Sequence, residues 1–367
     1  MSRSIRLVGA RVLTEQGWSD TGVSIVDGLV VDDADGAGLP EFDCSGLLVA
    51  PGLIDIQCNG AAGIDLRSSP ERLWEVATAL PQWGVTSWLP TIVTSTPDVI
   101  ARAQRALADG PPAGWSGATP LGLHLEGPFL SPDAAGAHPL DLLRAPDVAE
   151  ATTWSPRSGV RLVTMAPELD GALDVIEALV GNDVVVSIGH SQATAAQVDA
   201  AIDAGATSVT HLFNAMSPLH HREPGVAGSA LHDERLTAGL IADGVHVDPR
   251  VVAIAERALG GRLVLVSDAV ALLGVDGFDP TTGVRLPDGT LAGSVLPLVR
   301  AVANLVAWSA CTPERALRAA SRRPATLLGE STTGRLAPGG AGDAVVLTQD
   351  LDIVATVLAG EIVHHRP

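Results

Sequence analysis

Two short runs in this sequence each deliver a histidine: Ser187-Ile188-Gly189-His190 and Ser208-Val209-Thr210-His211. A third, Leu121-Gly122-Leu123-His124-Leu125-Glu126, delivers a carboxylate in the same manner. A histidine that ends one strand is by itself more often a hydrogen-bonded core residue than a ligand. Two histidines and a glutamate at three separate strand ends point instead to an open divalent-metal site, with a fourth position left for water. Such an ion turns water into a nucleophile near neutral pH. Asp268 closes the apolar run Leu263-Val264-Leu265-Val266-Ser267. There it can take a proton from that water and pass it to a leaving amine; capping a helix is an equally common use of such an aspartate.

Other polar groups stand just beyond strand ends. Arg222, in Arg222-Glu223-Pro224-Gly225, reads as an anion clamp in a loop beside the site, although a solvated surface arginine is the commoner fate. His138 follows Ala135-Gly136-Ala137, and His246 follows Asp243-Gly244-Val245. Either could donate to a carbonyl or a phosphate, or merely satisfy a loop backbone.

To converge, these residues need a scaffold with many strand ends on one face. Candidate strands fall at 53–59, 87–92, 121–127, 160–167, 184–190, 208–214, 236–243 and 263–268, and Ala-rich amphipathic stretches lie between most of them. Eight strands alternating with helices predict an α/β fold of the (β/α)8 TIM-type barrel, with chemistry at the carboxyl ends. Asp27-Gly28 and Ala359-Gly360 each separate two β-branched runs and predict hairpins. Neither terminus has apolar residues enough for its own core. The expected organisation is therefore a small β-sandwich domain from residues 1–49 and 330–367, flanking a catalytic barrel at 50–329.

Composition narrows the function. A net charge of -19 over 367 residues argues against nucleic acid and anionic membranes as partners. The chain contains no lysine, which removes Walker, Schiff-base and carbamylated-lysine chemistry, and no tyrosine. Cys44, Cys58 and Cys311 form no paired framework, and no basic-then-apolar leader or membrane-length apolar run is present. A cytoplasmic protein is expected.

Taken together, the motifs resemble the N-acetylglucosamine-6-phosphate deacetylases of the amidohydrolase superfamily. The resemblance rests on Ala50-Pro51-Gly52-Leu53-Ile54-Asp55, His124-Leu125-Glu126-Gly127-Pro128-Phe129, Met165-Ala166-Pro167-Glu168 and Gly189-His190-Ser191. It continues through His211-Leu212-Phe213-Asn214-Ala215-Met216, Arg222-Glu223-Pro224-Gly225, the Asp243–His246 turn and Ser267-Asp268-Ala269. It implies hydrolysis of the acetamide of N-acetylglucosamine 6-phosphate to glucosamine 6-phosphate and acetate. By the resemblance, Glu126, His190 and His211 fall on the metal ligands, Asp268 on the acid/base, and His138 on a group that polarises the acetyl carbonyl. Substrate contacts fall on Ala137, His138, Asn214, Ala215, Arg222, Asp243, Gly244, Val245, His246, Leu291, Ala292 and Gly293. Arg222 and His246 would hold the phosphate. Many hydrolases of this fold carry His-x-His on the first strand, where this chain has Gln57-x-Asn59. Amides are poor transition-metal ligands, so one ion per chain is expected, zinc first, with iron, cobalt or manganese also suited. A homodimer is expected, with Arg222 able to reach the neighbouring site. Deacetylation of the galactosamine epimer, or of another N-acyl amino sugar such as an unphosphorylated one, is the nearby alternative. A nucleobase deaminase and a non-catalytic sugar-phosphate sensor are more distant; the second would predict loss of a ligand or of Asp268, and none is lost.

Overall fold

The computed structural model describes residues 4–279, 282–309 and 311–366. Eight parallel strands form its centre: β1 (Leu53–Cys58), β2 (Val85–Val93), β3 (Leu123–Glu126), β4 (Val160–Met165), β5 (Val185–Ile188), β6 (Ser208–Val209), β7 (Thr237–Leu240) and β8 (Leu263–Leu265). Each pairs in parallel with its sequence neighbour. The segment after β8 then meets β1: the Asp268 amide donates to the Gln57 carbonyl at 2.9 Å, and the Asn59 amide to the Ala269 carbonyl at 2.7 Å. The result is the expected parallel barrel, nearly closed.

Period-two alternation sorts the strand residues into two cores. Leu123, Leu125, Val163, Met165, Val186, Ile188, Leu263 and Leu265 pack outward against the helical layer. Ile54, Ile56, Leu89, Leu162, Val264 and Val266 pack with one another and with Ala325 and Leu328, which close off the amino-terminal end. The inward positions one pleat further along β3, β4, β5 and β6 are polar: His124, Thr164, Ser187 and Thr210, all buried. Above them stand Glu126, His190, His211 and Asp268. The barrel interior is thus layered, apolar at the base, hydroxyl-rich in the middle and ionisable at the top.

The helices follow their start signals. Pro97–Ala108 opens with Thr96 and a proline in its first turn. Ala195–Asp203 begins with a reciprocal capping box between Thr194 and Gln197. The amphipathic stretch from Glu71 to Trp83 is α-helical only over Leu73–Ala79, with 3-10 turns at Pro70–Arg72 and Leu80–Trp83. Pro81 has no amide to donate and interrupts the ladder.

Both termini build further sheets. One runs Leu29–Val31, Val23–Val26, Ile5–Val8 and Glu41–Asp43; the other joins Arg11–Thr14 and Leu48–Pro51 to Ala344–Leu347, Ile353–Leu358 and Glu361–His365. Residues from both ends share one apolar cluster that includes Leu7, Val12, Ile25, Val49, Val346 and Val357. Both hairpin turns adopt two left-handed residues, Asp27-Gly28 and Ala359-Gly360, as two-residue hairpins require. No helix among the described residues is long and apolar enough to cross a membrane.

Candidate active site

The carboxyl ends of the strands open onto a cleft of ≈ 650 Å³ whose floor holds Glu126, His190, His211 and Asp268. The regular strands stop short of the histidines. β5 ends at Ile188 and β6 at Val209, two residues earlier than the chemistry they serve. His190, His211 and Asp268 have φ of +50°, +28° and +49°. Non-glycine residues avoid that left-handed region, and such strain gathers at sites where surrounding bonds over-determine the backbone. Those bonds are present. The Ser191 amide donates to the Ala215 carbonyl at 3.1 Å, and the Ser131 amide to the His190 carbonyl at 2.9 Å. Glu168 accepts from Ser191 Oγ and from the Gln192 amide, each at 2.6 Å. Asn214 donates through Nδ2 to the carbonyls of His211 and Leu212 at 3.1 and 3.3 Å, bracing the turn that carries His211.

Three donor atoms meet at the floor. Glu126 Oε1 lies 3.0 Å from His211 Nε2 and 3.3 Å from His190 Nε2, and the two nitrogens are 3.1 Å apart. Bonds of about 2.0–2.1 Å to a tetrahedral ion put ligand atoms about 3.3 Å from one another. The triangle has the size such an ion needs. His190 Nδ1 sits 2.9 Å from the Ala134 carbonyl, which can only accept. Its proton is therefore on Nδ1, and the Nε2 lone pair faces the triangle, the outer-sphere arrangement usual for metal-ligating histidine. Among the described residues His211 Nδ1 has no hydrogen-bond partner. Burial works against charging His211, but the hydrogen bond and charge of Glu126 outweigh it and raise its pKa. Burial likewise opposes the Glu126 anion, yet the adjoining His190 and His211 rings hold its pKa well below the usual range.

Glu126, His138 and His190 also place potential ligand atoms within 4.8 Å of one another. The hydrogen bonding of His138 argues against that set. The Thr94 amide donates to His138 Nδ1 at 3.3 Å, so Nδ1 must accept and the ring proton sits on Nε2. Nε2 is 3.9 Å from Glu126 Oε2. Burial, foremost, and the neighbouring His190 depress the His138 pKa to about 3, so the ring stays neutral. His138 thus presents an N–H donor into the cleft, while His211 Nε2 is the nitrogen that closes the 3.0–3.3 Å triangle with Glu126 and His190.

Asp268 Oδ1 accepts from Asn59 Nδ2 at 2.8 Å and from Gln57 Nε2 at 3.3 Å; Gln57 Nε2 also reaches Glu126 Oε1 at 3.0 Å. The Gln-x-Asn pair therefore acts as a set of donors to carboxylates. Burial, together with the Glu126 charge, raises the Asp268 pKa.

Of the other expected contacts, Ala137, Asn214, Ala215, His246, Leu291, Ala292 and Gly293 line the cleft. Asp243 is buried beneath it and accepts from the amides of Val245 and His246, each at 2.8 Å, and from His246 Nδ1 at 2.6 Å. Burial alone would raise its pKa, and the bonds from His246 reverse that. Asp243, Gly244 and Val245 thus shape the turn, and His246 alone of the four lines the cleft wall. Arg222 does not reach its own chain's cleft; it is exposed, with Nη1 2.9 Å from His221 Nε2. The arginine on the cleft wall is Arg67, in the loop after β1. Reading strand ends overlooks it because it lies nine residues beyond Cys58; a permanent cation in the first post-strand loop was the available signal.

Comparison with known proteins agrees with this geometry. The amidohydrolase family model matches residues 48–363. N-acetylglucosamine-6-phosphate deacetylase of Homo sapiens is 42% identical over 350 residues, covering 88% of this chain and 84% of that protein. N-acetylgalactosamine-6-phosphate deacetylase of Escherichia coli O157:H7 is 38% identical over 368 residues, covering 96% and 97%. Among solved structures, a mutant N-acetyl-D-glucosamine-6-phosphate deacetylase from Mycobacterium smegmatis, in complex with N-acetyl-D-glucosamine-6-phosphate, superposes with a TM-score of 0.89 at 35% identity, covering 98% of this chain and 99% of that one. With its matched length, its barrel and its converging carboxylates and histidines, the chain belongs to the amidohydrolase family, in the group formed by the N-acetylglucosamine-6-phosphate deacetylases.

Proposed function

We propose that this protein hydrolyses the acetamide of N-acetyl-D-glucosamine 6-phosphate to D-glucosamine 6-phosphate and acetate. The observation that carries the reading is the convergence of Glu126 Oε1, His190 Nε2 and His211 Nε2 to 3.0–3.3 Å beside the Asp268 carboxylate. One divalent ion per chain, zinc first among the candidates, would be held by those three atoms. When bound it supplies the Lewis acidity that makes a water nucleophilic at neutral pH. Asp268 takes one proton as that water attacks the carbonyl carbon and delivers it to the nitrogen as the C–N bond breaks. His138, held as the Nε2–H tautomer by Thr94, donates to the carbonyl oxygen as charge develops there.

His246, oriented by Asp243, offers its second nitrogen to the substrate phosphate. The Asn214 amide already donates to the His211 carbonyl at 3.0 Å, which leaves Ala215 as the main-chain donor on that wall. Arg222 would complete the phosphate contact from the neighbouring subunit of a homodimer; its exposure and its distance from its own cleft favour that role. The catalytic unit would span 50–329, flanked by a β-sandwich of 1–49 and 330–367. Free thiols at Cys44, Cys58 and Cys311 suit a cytoplasmic location.

A specific observation favours a second substrate, N-acetylgalactosamine 6-phosphate: the Escherichia coli O157:H7 relative named for it matches nearly end to end. Acetate release from both phosphorylated epimers and from unphosphorylated N-acetylglucosamine, with metal content on the same sample, tests the reading. Release confined to the first substrate supports it; inertness of the metal-loaded protein towards all three overturns it.

A further inference from the structure

The middle layer of the barrel interior is built where a barrel normally places branched apolar side chains. His124, Thr164, Thr210 and Ser187 are each at most 4% exposed, and no reaction assigned above uses them. Burying four such groups is unfavourable unless each is satisfied. They are, and in one direction only. His124 Nδ1 lies 3.1 Å from the Ile56 carbonyl, which cannot donate, so Nδ1 carries the ring proton and Nε2 accepts. Thr164 Oγ1, 2.8 Å from that nitrogen, must donate to it. Its single proton is then used, so Thr210 Oγ1, 2.7 Å away, donates to Thr164. Ser187 Oγ, 2.6 Å from Thr210, donates in turn.

We propose that the Ser187–Thr210–Thr164–His124 chain is a positioning device that sets the metal-ligating side chains, a role that rests on reading Glu126, His190 and His211 as the ligands. Each member sits on, or directly after, a strand that delivers one of them or stands between two that do. His124 is two residues before Glu126, Thr210 immediately before His211, and Ser187 three before His190. The acceptor at the end of the chain, Ile56, directly precedes Gln57, whose amide holds Glu126 and Asp268. Thr164 joins β3 to β6 from β4. The packing around the chain is equally constrained: a Cβ on Gly189 would fall 2.8 Å from both Thr164 Cγ2 and Thr210 Cβ, so β5 reaches His190 only through glycine. Because each hydroxyl has one permitted orientation, the chain selects one rotamer set and one register for β3 to β6. Apolar residues of equal volume would fill the space without that selection.

Thr164→Val is the test, since it keeps the volume and deletes both the donor to His124 and the acceptor for Thr210. Metal affinity is measured by chelator competition on metal-depleted protein, and ligand geometry by the visible absorption of the cobalt-substituted form. The expected result is an affinity weaker by up to about 10-fold, the low end of the range for losing a partner bonded directly to a ligand because Thr164 acts one bond further out, with a shifted cobalt band. Thr164→Ser should restore both, which a loss of packing alone would not predict. Parental affinity and an unchanged band in Thr164→Val overturn the proposal and leave the ligand assignment standing. A parent chain that binds no divalent ion overturns the ligand assignment and the proposal with it. Should Thr164→Val lack native circular dichroism, Ser187→Ala, which removes one oxygen at the open end of the chain, replaces it. A smaller weakening with a shifted band is then expected, and an unchanged band refutes the role.

Discussion

Replacing Asp268 by asparagine isolates proton transfer with little disturbance of the site. Asp268 Oδ1 accepts from Asn59 at 2.8 Å and from Gln57 at 3.3 Å. An asparagine keeps both bonds through its own carbonyl oxygen and presents an NH2 group where Oδ2 stood. That amide can neither accept a proton from water nor return one to a departing amine. Acid–base work by a positioned side chain contributes about 10²–10⁴-fold, or ~3–5 kcal/mol of barrier. Since the same carboxyl serves both the attack and the departure, the expected fall in kcat lies at the upper end, about 10⁴-fold. The assay is acetate release at saturating N-acetylglucosamine 6-phosphate, with metal content and thermal unfolding followed on the same preparation. Metal content should match the parent, and Tm should hold or rise, because burial and the Glu126 charge make the Asp268 anion unfavourable in the fold. Turnover within tenfold of the parent, with metal retained, refutes the assignment.

Other substitutions separate the remaining roles. His190→Ala should lose bound metal, and unchanged stoichiometry would remove His190 from the ligand set. His138→Asn should lower kcat about 10²–10³-fold with metal content kept, as for loss of a donor to a developing oxyanion; loss of the ion instead would make His138 a ligand in place of His211. Arg222→Ala should raise KM for the phosphorylated sugar alone, in a protein that sizes as a dimer; equal losses with and without the phosphate would refute the clamp. Asp343, far from the site, tests a stability prediction. Burial pushes its carboxyl up to about 6, only partly offset by the Ala359 amide bonded at 2.8 Å. A carboxyl with that pKa in the fold and about 3.9 in the open chain favours the fold while protonated, and loses that advantage as pH rises through 6. Asp343→Asn should therefore raise unfolding free energy at pH 7 by at most about 3 kcal/mol and change it little at pH 4; no difference between the two pH values would sink the argument.

The barrel and much of its floor are legible in the linear chain for physical reasons that can be named. Alternation in runs such as Leu123-His124-Leu125-Glu126 has a period of two wherever a strand separates two cores, and Asp-Gly or Ala-Gly between β-branched runs closes a hairpin through local backbone preference alone. Strand ends therefore point to Glu126, His190, His211 and Asp268 without coordinates. Their backbone does not follow from pattern. The expected strands run on to His190, Asn214 and Asp268, whereas the regular ladders stop at Ile188, Val209 and Leu265. His190 turns left-handed under contacts from Ser131 and Ala215, 59 and 25 residues away from it, whereas His211 is braced from its own turn by Asn214.

Residue types and local spacing thus determined the fold class, the candidate ligands and the candidate acid/base, because those depend on periodicity and on what a side chain can do. Only the folded chain decided which nitrogen of His190 and of His138 carries its proton, that His138 is a donor, that Gln57 and Asn59 serve carboxylates, and that Arg222 turns away from its own cleft while Arg67 lines it. Each of these depends on partners brought together across tens to hundreds of residues, and hydrogen-bond direction is fixed only when both ends of the bond are in place.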